Sequence, residues 1–240
     1  MKHPEDEGDV SIIIPAAGES ARMGGDVRKP FLSIGGEPIL FRTCRKLREA
    51  PGVFEIIVVL HPEDIEVIRD ELWEEASAAG ISLAVKGGKS RAQTVWNGLE
   101  VVSARAAIVA VHDAVRPFVP EDTIRALIST ARKRGAAVPV VPMVDTPKRI
   151  EGDVILATPP RAGLMRAQTP QVFQSDLLIE AYEYAMRTGG LSDRITDDSQ
   201  LVEALGKDVT VVFGSEYNIK ITTPADVRLA EALLAAGLVH

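Results

Sequence analysis

The chain has 240 residues, enough for one large domain, and its 46% hydrophobic and 25% charged residues exclude a disordered or collagen-like polymer. The formal net charge of −7 makes nucleic acid a poor candidate partner, because a surface of that sign repels the phosphate backbone. A single cysteine excludes an intramolecular disulfide, and the four histidines lack metal-ligand spacing, which disfavours a protein-ligated zinc site.

The chain begins with an acidic segment. Residues 1–9 carry four carboxylates, the opposite of a basic signal peptide or an Arg-rich transit peptide. The longest apolar runs, residues 56–60 and 136–144, are far shorter than the ~20 residues that a membrane span needs. These features predict a cytoplasmic protein without a membrane partner.

Short apolar strands alternate with helices along the chain. β-Branched runs predict strands at residues 10–14, 55–60, 83–85, 108–112, 137–141 and 209–213. Apolar residues at helical spacing predict helices at residues 39–49, 63–79, 91–103, 121–134, 176–187 and 224–236. Strands that are apolar on both faces and separated by helices predict an α/β fold with a doubly wound, mostly parallel sheet. We expect one domain over residues 1–240.

Two helix starts carry capping patterns. Ser90 with Gln93, and Thr223 with Asp226, have the spacing of a capping box. Cys44 lies inside an apolar-periodic stretch, so we expect a buried structural thiol rather than a catalytic one.

The alternation of strands and helices stops after residue 141. Residues 142–160 contain four prolines, and residues 149–156 alternate around a turn at Gly152-Asp153. This pattern predicts a β-hairpin arm within residues 142–166. Because an isolated hairpin is only marginally stable, we expect it to pack on a second copy of the chain in a homodimer.

The loop after the first strand has small residues followed by cations. Backbone N–H groups of residues 15–18 can approach phosphate oxygens closely, and Arg22 and Lys29 supply positive charge. The segment predicts a triphosphate cradle, although a surface turn with solvated cations has the same composition. It matches neither a Walker A loop nor a dinucleotide fingerprint, because Gly18 is followed by no GK pair and no second glycine at the required spacing.

Two further strand ends carry candidate chemistry. Asp113 follows the strand at residues 108–111, where a lone carboxylate can hold Mg²⁺ together with water and phosphate oxygens; the alternative is a residue that caps the turn before Pro117. His112 fits orientation of that turn better than metal ligation. Residues 87–94 form a glycine turn into a helix, which could admit a pyrimidine and exclude a purine by size, or could be a plain helix start.

These segments together resemble one family. The residues that carry the resemblance are Pro15-Ala16-Ala17-Gly18-x3-Arg22-Met23, Lys29, Gly87-Gly88-x2-Arg91, His112-Asp113-Ala114-Val115-Arg116-Pro117, Thr169-Pro170-Gln171 and Asn218-Ile219-Lys220. In this order and with these spacings, from about residue 10 to residue 234, they resemble the 2-C-methyl-D-erythritol 4-phosphate cytidylyltransferases.

The resemblance implies a Rossmann-like fold of the nucleotide-diphospho-sugar-transferase type and an activity. CTP and 2-C-methyl-D-erythritol 4-phosphate would react with Mg²⁺ as cofactor and release pyrophosphate, in the non-mevalonate isoprenoid pathway. Arg22 and Lys29 would neutralise charge on the α-phosphate and the leaving pyrophosphate, with Asp113 and Lys220 as further catalytic residues and Asp113 at the metal. The implied CTP-binding residues are Pro15, Ala16, Ala17, Gly18, Gly88, Thr94 and Ala114.

The second substrate would meet other residues. Its phosphate and hydroxyls would contact Asp113, Arg116, Thr169, Thr196 and Lys220, with Thr146 and Arg161 supplied by the partner's arm. Each of these threonines could equally serve a turn or a helix cap.

The sequence departs from the family pattern at two places. Ser20 replaces a frequent glycine, which reduces backbone freedom. Lys89 occupies an often acidic position, and a cation cannot accept a hydrogen bond from the cytosine amine.

Three other functions stay open. A cytidylyltransferase for ribitol 5-phosphate or another polyol phosphate would share the same loops, although residues 145–149 (Asp-Thr-Pro-Lys-Arg) favour methylerythritol phosphate. A CTP-binding regulator without turnover is disfavoured because it has no need of transition-state charges. A dehydrogenase is disfavoured by the incomplete glycine fingerprint.

Overall fold

The computed structural model describes residues 8–18, 29–189, 191 and 195–240. The strands are β1 Val10–Ala16, β2 Ser33–Ile34, β3 Glu37–Pro38, β4 Val53–Leu60, β5 Leu83–Lys86, β6 Ile108–Val111, β7 Ala136–Pro142, β8 Arg149–Glu151, β9 Val154–Ala157, β10 Met165–Ala167, β11 Gln171–Gln174 and β12 Thr210–Phe213. The helices are α1 Ile39–Arg48, α2 Pro62–Asp70, α3 Trp73–Ala78, α4 Arg91–Leu99, α5 Glu121–Arg134, α6 Ser175–Thr188, α7 Ser199–Ala204 and α8 Pro224–Ala235.

An eight-stranded mixed sheet forms the centre of the described chain. Its strands follow the order β5-β4-β1-β6-β11-β7-β12, and β10 extends the pairing along β7 beyond β11. Strands β5, β4, β1 and β6 are parallel neighbours, whereas β11 runs antiparallel to both β6 and β7. The carboxyl ends of the four parallel strands therefore meet at one edge, where open α/β sheets bind ligands.

Helices cover both faces of the sheet, which confirms the doubly wound α/β prediction. Ile12 and Ile14 of β1 belong to an apolar cluster with residues of α1, α2, α3 and α5, whereas Ile13 between them belongs to a second cluster with residues of α4, α6 and α7. Alternate side chains of one strand thus reach opposite apolar layers, and both layers are buried. A third apolar cluster joins α8 to β2 and the start of α1.

All six predicted strands form, with ends within two residues of those expected. The helix predicted at residues 63–79 is interrupted, because Glu71 and Leu72 both leave helical geometry and donate their backbone N–H groups to the same Val67 carbonyl. The helix predicted at residues 91–103 ends at Leu99, where the Val101 and Val102 N–H groups donate to carbonyls three residues back instead of four, and the Ser103 N–H donates to the Glu55 carboxylate.

The capping predictions are confirmed in one case and half wrong in the other. Thr223 and Asp226 form a complete capping box at α8. At α4, Ser90 Oγ accepts the Gln93 N–H at 3.1 Å, but the Gln93 side chain donates to Asn97 and does not accept the Ser90 backbone N–H.

The predicted arm is a β-hairpin of β8 and β9. Gly152 provides the positive φ, 57°, that its turn requires. Ile150 and Val154 of this hairpin are 63% and 59% exposed, which leaves apolar surface without cover in the described chain. Cys44, by contrast, is fully buried, which confirms the core prediction, and burial raises the pKa of its thiol. No described helix has both the length and the hydropathy that would let it cross a bilayer.

Candidate active site

A cleft of about 560 Å³ opens at the carboxyl ends of the parallel strands. It is lined by Pro15, Ala16, Ala17, Gly18, Pro30, His61, Gly88, Lys89, Ser90, Arg91, Thr94, Asp113, Ala114, Val115 and Lys220. All seven residues predicted to bind CTP are in this set. The sequence analysis assigned no role to His61, which follows β4, or to Arg91, which begins α4. These two positions meet at one cleft only in the folded chain.

Small side chains pack the end of β1 closely against the turn that precedes α4. A Cβ atom added to Gly87 would lie 2.2 Å from the Cβ atom of Ala17. The Gly87 N–H donates to the Leu60 carbonyl at 2.8 Å, which fixes the turn to the end of β4. Only glycine therefore fits at position 87 without displacing the predicted phosphate loop.

The Thr94 hydroxyl holds the Gly88 turn. Its oxygen accepts the Gly88 N–H at 3.1 Å, and its proton goes to the Ser90 carbonyl at 2.8 Å. Because Thr94 is buried and its hydroxyl makes both contacts, it fixes the backbone that faces the cleft. Thr94 thus has a structural role beside its predicted contact with the base.

Asp113 is the one carboxylate among the described residues of the cleft lining, and two cations hold it. Its Oδ2 atom lies 3.0 Å from Lys220 Nζ and accepts a hydrogen bond from Arg116 Nε at 2.9 Å. Burial alone would raise the pKa of Asp113, but Lys220, Arg116 and Arg91 together lower it far below the ordinary value. Asp113 is therefore ionised at neutral pH and fixed in orientation.

His112 and Thr169 form a buried chain of hydrogen bonds behind Asp113. Burial lowers the pKa of His112 to about 4, so the ring is neutral at pH 7. We assign the proton to Nε2, which lies 2.9 Å from the Arg116 carbonyl, and Nδ1 then accepts from the Thr169 hydroxyl at 3.1 Å. The Thr169 oxygen in turn accepts the Asp113 N–H at 3.0 Å. His112 thus orients the turn, as predicted.

Arg116 joins this turn to the segment before Lys220. Its Nη1 atom donates to the Asn218 carbonyl at 2.8 Å, and the buried Asn218 side chain donates to the Thr169 carbonyl at 2.9 Å. The predicted acceptor-binding residues Arg116, Thr169 and Lys220 are therefore parts of one connected network around Asp113.

Arg91 forms a second ion pair at the cleft. Its guanidinium donates to Asp198 through two bonds, Nη1 to Oδ1 at 3.1 Å and Nη2 to Oδ2 at 2.7 Å. Asp198 is fully buried and also accepts the Tyr182 hydroxyl at 2.6 Å. This pair connects the start of α4 to the segment that contains Thr196.

The cleft lining lacks all five residues predicted to bind the acceptor besides Asp113 and Lys220, namely Arg116, Thr146, Arg161, Thr169 and Thr196. Thr196 is exposed and exchanges hydrogen bonds with Gln200. Thr146 and Arg161 are exposed on the arm, where Arg161 donates to the Val144 carbonyl. Arg116 and Thr169 do not face the cleft but hold Asp113, through its carboxylate and its backbone N–H respectively. The contribution of the arm to a site therefore stays a prediction.

The two predicted phosphate cations differ in what the structure describes. Lys29 begins a short 3₁₀ turn, Lys29–Phe31, next to Pro30 of the cleft lining. Arg22 and Ser20 lie outside the described residues.

Comparison with known proteins identifies relatives over almost the whole chain. The model of the 2-C-methyl-D-erythritol 4-phosphate cytidylyltransferase family matches residues 10–236. The enzyme of that name from Symbiobacterium thermophilum is 44% identical over 226 residues, 94% of this chain and 92% of the relative. Its Thermus thermophilus counterpart has a solved structure with a TM-score of 0.77 and 37% identity, which covers 95% of this chain and 99% of that one. A 4-diphosphocytidyl-2C-methyl-D-erythritol synthase from Anaerococcus prevotii superposes with a TM-score of 0.79 at 32% identity, over 96% and 98% of the two chains.

Proposed function

Since the chain belongs to the 2-C-methyl-D-erythritol 4-phosphate cytidylyltransferase family, we propose that the described cleft is its active site. The enzyme transfers the cytidylyl group of CTP to 2-C-methyl-D-erythritol 4-phosphate and releases pyrophosphate, in the non-mevalonate isoprenoid pathway. The observation that carries the assignment of the site is that seven predicted nucleotide contacts and the Asp113–Lys220 pair line one cleft.

CTP occupies the side of the cleft formed by β1 and the turn before α4. The cytosine lies against Ala16, Gly88 and Thr94, where the turn leaves backbone groups facing the cleft. The ribose lies near Pro15 and Ala114, and the triphosphate follows the backbone of Ala17 and Gly18. Lys89 at this edge is exposed, so a contact with the cytosine amine would come from backbone oxygen.

The acceptor occupies the side of the cleft near Asp113. The Asp113 carboxylate accepts hydrogen bonds from acceptor hydroxyls, and Lys220 and Arg116 keep it ionised. Lys220 is 46% exposed at its side chain, so its ammonium group can also contact a substrate phosphate. The Thr169 hydroxyl already gives its proton to His112 and accepts the Asp113 N–H, so Thr169 acts on the acceptor by holding Asp113.

The reaction needs no protein nucleophile. A phosphate oxygen of the acceptor attacks the α-phosphorus of CTP in line, the new O–P bond forms, and the bond to the pyrophosphate oxygen breaks. The work of the protein is to position both substrates and to offset growing negative charge. Arg22 and Lys29 take this role for the α-phosphate and the leaving pyrophosphate, and Lys220 orients the attacking phosphate.

The donor set at Asp113 fits a magnesium ion that is held mainly by substrate. Asp113 Oδ2 takes part in both ion pairs, whereas Oδ1 accepts no hydrogen bond from the described residues. No three His, Cys, Asp or Glu side chains cluster anywhere in the described part of the chain, so phosphate oxygens and water would complete the coordination. We propose Mg²⁺ with Asp113 as its protein ligand; bound there, it neutralises phosphate charge.

We further propose a cytoplasmic homodimer in which each arm serves the partner. The arm exposes Ile150, Val154 and Ile155 on both strands of its hairpin, more apolar surface than an isolated two-stranded hairpin keeps in water. A second copy that covered this surface would receive Thr146 and Arg161 at the acceptor side of its cleft.

The test measures pyrophosphate release from CTP and Mg²⁺ with 2-C-methyl-D-erythritol 4-phosphate and, in parallel, with ribitol 5-phosphate. We expect release with the first acceptor only. Release with ribitol 5-phosphate alone would overturn the acceptor assignment but keep the CTP site. No release with either acceptor, together with CTP binding by calorimetry, would indicate a binding protein.

A further inference from the structure

The guanidinium of Arg91 has donors that the described protein does not use. Two of its five N–H groups go to Asp198, and Nε–H and the outer N–H of each terminal nitrogen have no acceptor among the described residues. Its side chain is 26% exposed while that of Asp198 is 0% exposed, and Arg91 is part of the cleft lining. The partly exposed guanidinium can therefore offer unused donors to a ligand in the cleft.

Asp198 fixes the orientation of this guanidinium. Its carboxylate is buried and accepts the Tyr182 hydroxyl, and its backbone N–H donates to Gln171 Oε1 at 2.9 Å. Burial and the neighbouring carboxylate raise the pKa of Tyr182, so the phenol remains a donor. A planar guanidinium held through its two terminal nitrogens by an immobile carboxylate still offers the edge formed by Nε–H and one outer N–H for a second two-bond contact, a preorganised site for oxygen anions.

The neighbours of Arg91 place it on the acceptor side of the cleft. Arg91 lines the same cleft as Asp113, the proposed acceptor ligand, and Lys220. Its anchor Asp198 is two residues from Thr196, another predicted acceptor contact. Arg91 thus shares the cleft with Asp113 and is bonded to the segment of residues 196–198.

We propose that Arg91 binds a phosphate oxygen of the acceptor and that Asp198 and Tyr182 are its positioning residues. This inference rests on the active site proposed above. The ligand class is a phosphate monoester, whose oxygens match the unused N–H groups in charge and geometry.

The experiment compares wild type with the Arg91→Met/Asp198→Asn double variant. Removal of both charges together leaves neither one buried alone, so we expect a folded protein with a nearly unchanged unfolding midpoint. We expect kcat/KM for 2-C-methyl-D-erythritol 4-phosphate to fall by about 10- to 100-fold, the usual effect of losing a charge-assisted hydrogen bond. The Kd of CTP, measured by calorimetry without acceptor, should change by less than about threefold.

Two further variants keep the proposal falsifiable if the double variant does not fold. Tyr182→Phe keeps the ion pair and removes one bond to Asp198, and it should raise the acceptor KM by about threefold with the CTP Kd unchanged. Arg91→Lys keeps the positive charge but loses the planar two-donor geometry of the guanidinium. Its acceptor affinity should therefore lie between those of wild type and the double variant.

The outcomes are distinct. Wild-type acceptor kinetics in a folded double variant would make Arg91 purely structural and overturn the inference. A loss of CTP affinity as large as the loss in kcat/KM for the acceptor would indicate that Arg91 contacts the nucleotide, and it would overturn the acceptor assignment. Wild-type protein that releases no pyrophosphate would count against the proposed function instead, because that control carries no substitution.

Discussion

His112 Nδ1 lies 3.1 Å from the hydroxyl oxygen of Thr169, and both side chains are buried. The same ring reaches the Arg116 carbonyl through Nε2 at 2.9 Å, while Thr169 holds the Asp113 N–H. One neutral imidazole thus fixes both ends of the turn that carries Asp113 and Arg116. Residues that never touch substrate can therefore determine how well the acceptor binds.

We expect His112→Ala to impair the acceptor site more than the CTP site. The change leaves the Thr169 hydroxyl proton and the Arg116 carbonyl without their His112 partner, which should lower the free energy of unfolding by about 2–4 kcal/mol. The acceptor KM should rise by about tenfold or more, because the turn loses its anchor. His112→Asn, which keeps an acceptor near the Nδ1 position, should recover part of both losses. Equal increases in the KM values of CTP and acceptor would contradict the role, as would failure of Asn to improve on Ala.

The lowered pKa of His112 predicts a pH dependence of stability. The folded value is about 4, against about 6.5 for an unfolded histidine, so between these values the unfolded chain binds more protons. Stability from this group is complete above pH ~6.5 and decreases toward pH ~4, by up to about 1.4 kcal/mol per pH unit. The measurement is the difference in unfolding free energy between wild type and His112→Asn from pH 4 to 7. A difference that does not change over this range would show that His112 is not the group responsible.

Lys220→Met should reduce turnover strongly with little effect on CTP affinity. The substitution removes one of the two cations on Asp113 and the ammonium proposed to orient the attacking phosphate. We expect kcat to fall by about 100-fold, the usual effect of losing one fixed electrostatic contact. Lys220→Arg is the matched control, since it keeps the charge and should retain much of the activity. A normal kcat in the Lys220→Met enzyme would show that Lys220 has no role in the mechanism.

Gly87→Ala tests the contact between the base-binding turn and the phosphate loop. The new methyl group would lie 2.2 Å from the Ala17 Cβ, and neither atom can move without its backbone. We expect CTP to bind about tenfold or more weakly, because a displaced loop loses its preorganised N–H groups. The double variant Ala17→Gly/Gly87→Ala removes the clash and should recover affinity. If Gly87→Ala bound CTP normally, the close packing of these two segments would have no bearing on the nucleotide site.

The sequence pattern was sufficient for the sheet and for the ends of its parallel strands. The apolar run that contains Ile12, Ile13 and Ile14 could only be a strand buried on both faces, and the position of Asp113 followed from the strand before it. The break at Glu71 was not predictable, because those residues have ordinary helix preference and the interruption depends on tertiary packing. β10 and β11 were also missed, since their pairing with β7 is set by distant residues.

Within the site, the sequence predicted which residues lie at the cleft better than it predicted what their side chains contact. Thr94 and Thr169 were expected to contact substrate, yet both hydroxyls hold backbone of the cleft. The role of Arg91 is inferred from its ion pair with Asp198, which is 107 positions away in the sequence. Long-range ion pairs of this kind leave no local periodicity or motif from which to infer them.

The arm prediction has a sharp test by complementation between protomers. If Arg161 acts on the partner's site, a heterodimer of Arg161→Ala with Asp113→Asn has one cleft with both native residues and one with neither. Such heterodimers, isolated with two different affinity tags, should have about half of wild-type activity, whereas each variant homodimer should be nearly inactive.

The two ways in which this experiment can fail have different meanings. If the tags do not copurify, the chain does not form the dimer. If they copurify but the heterodimer is as inactive as its parents, Arg161 acts within its own chain. In that case one cleft lacks Arg161 and the other lacks Asp113, so neither is complete. A wild-type pair with the same two tags controls for their effect. Recovery can arise only when one cleft draws residues from two chains, since no single protomer in the mixture has both Asp113 and Arg161.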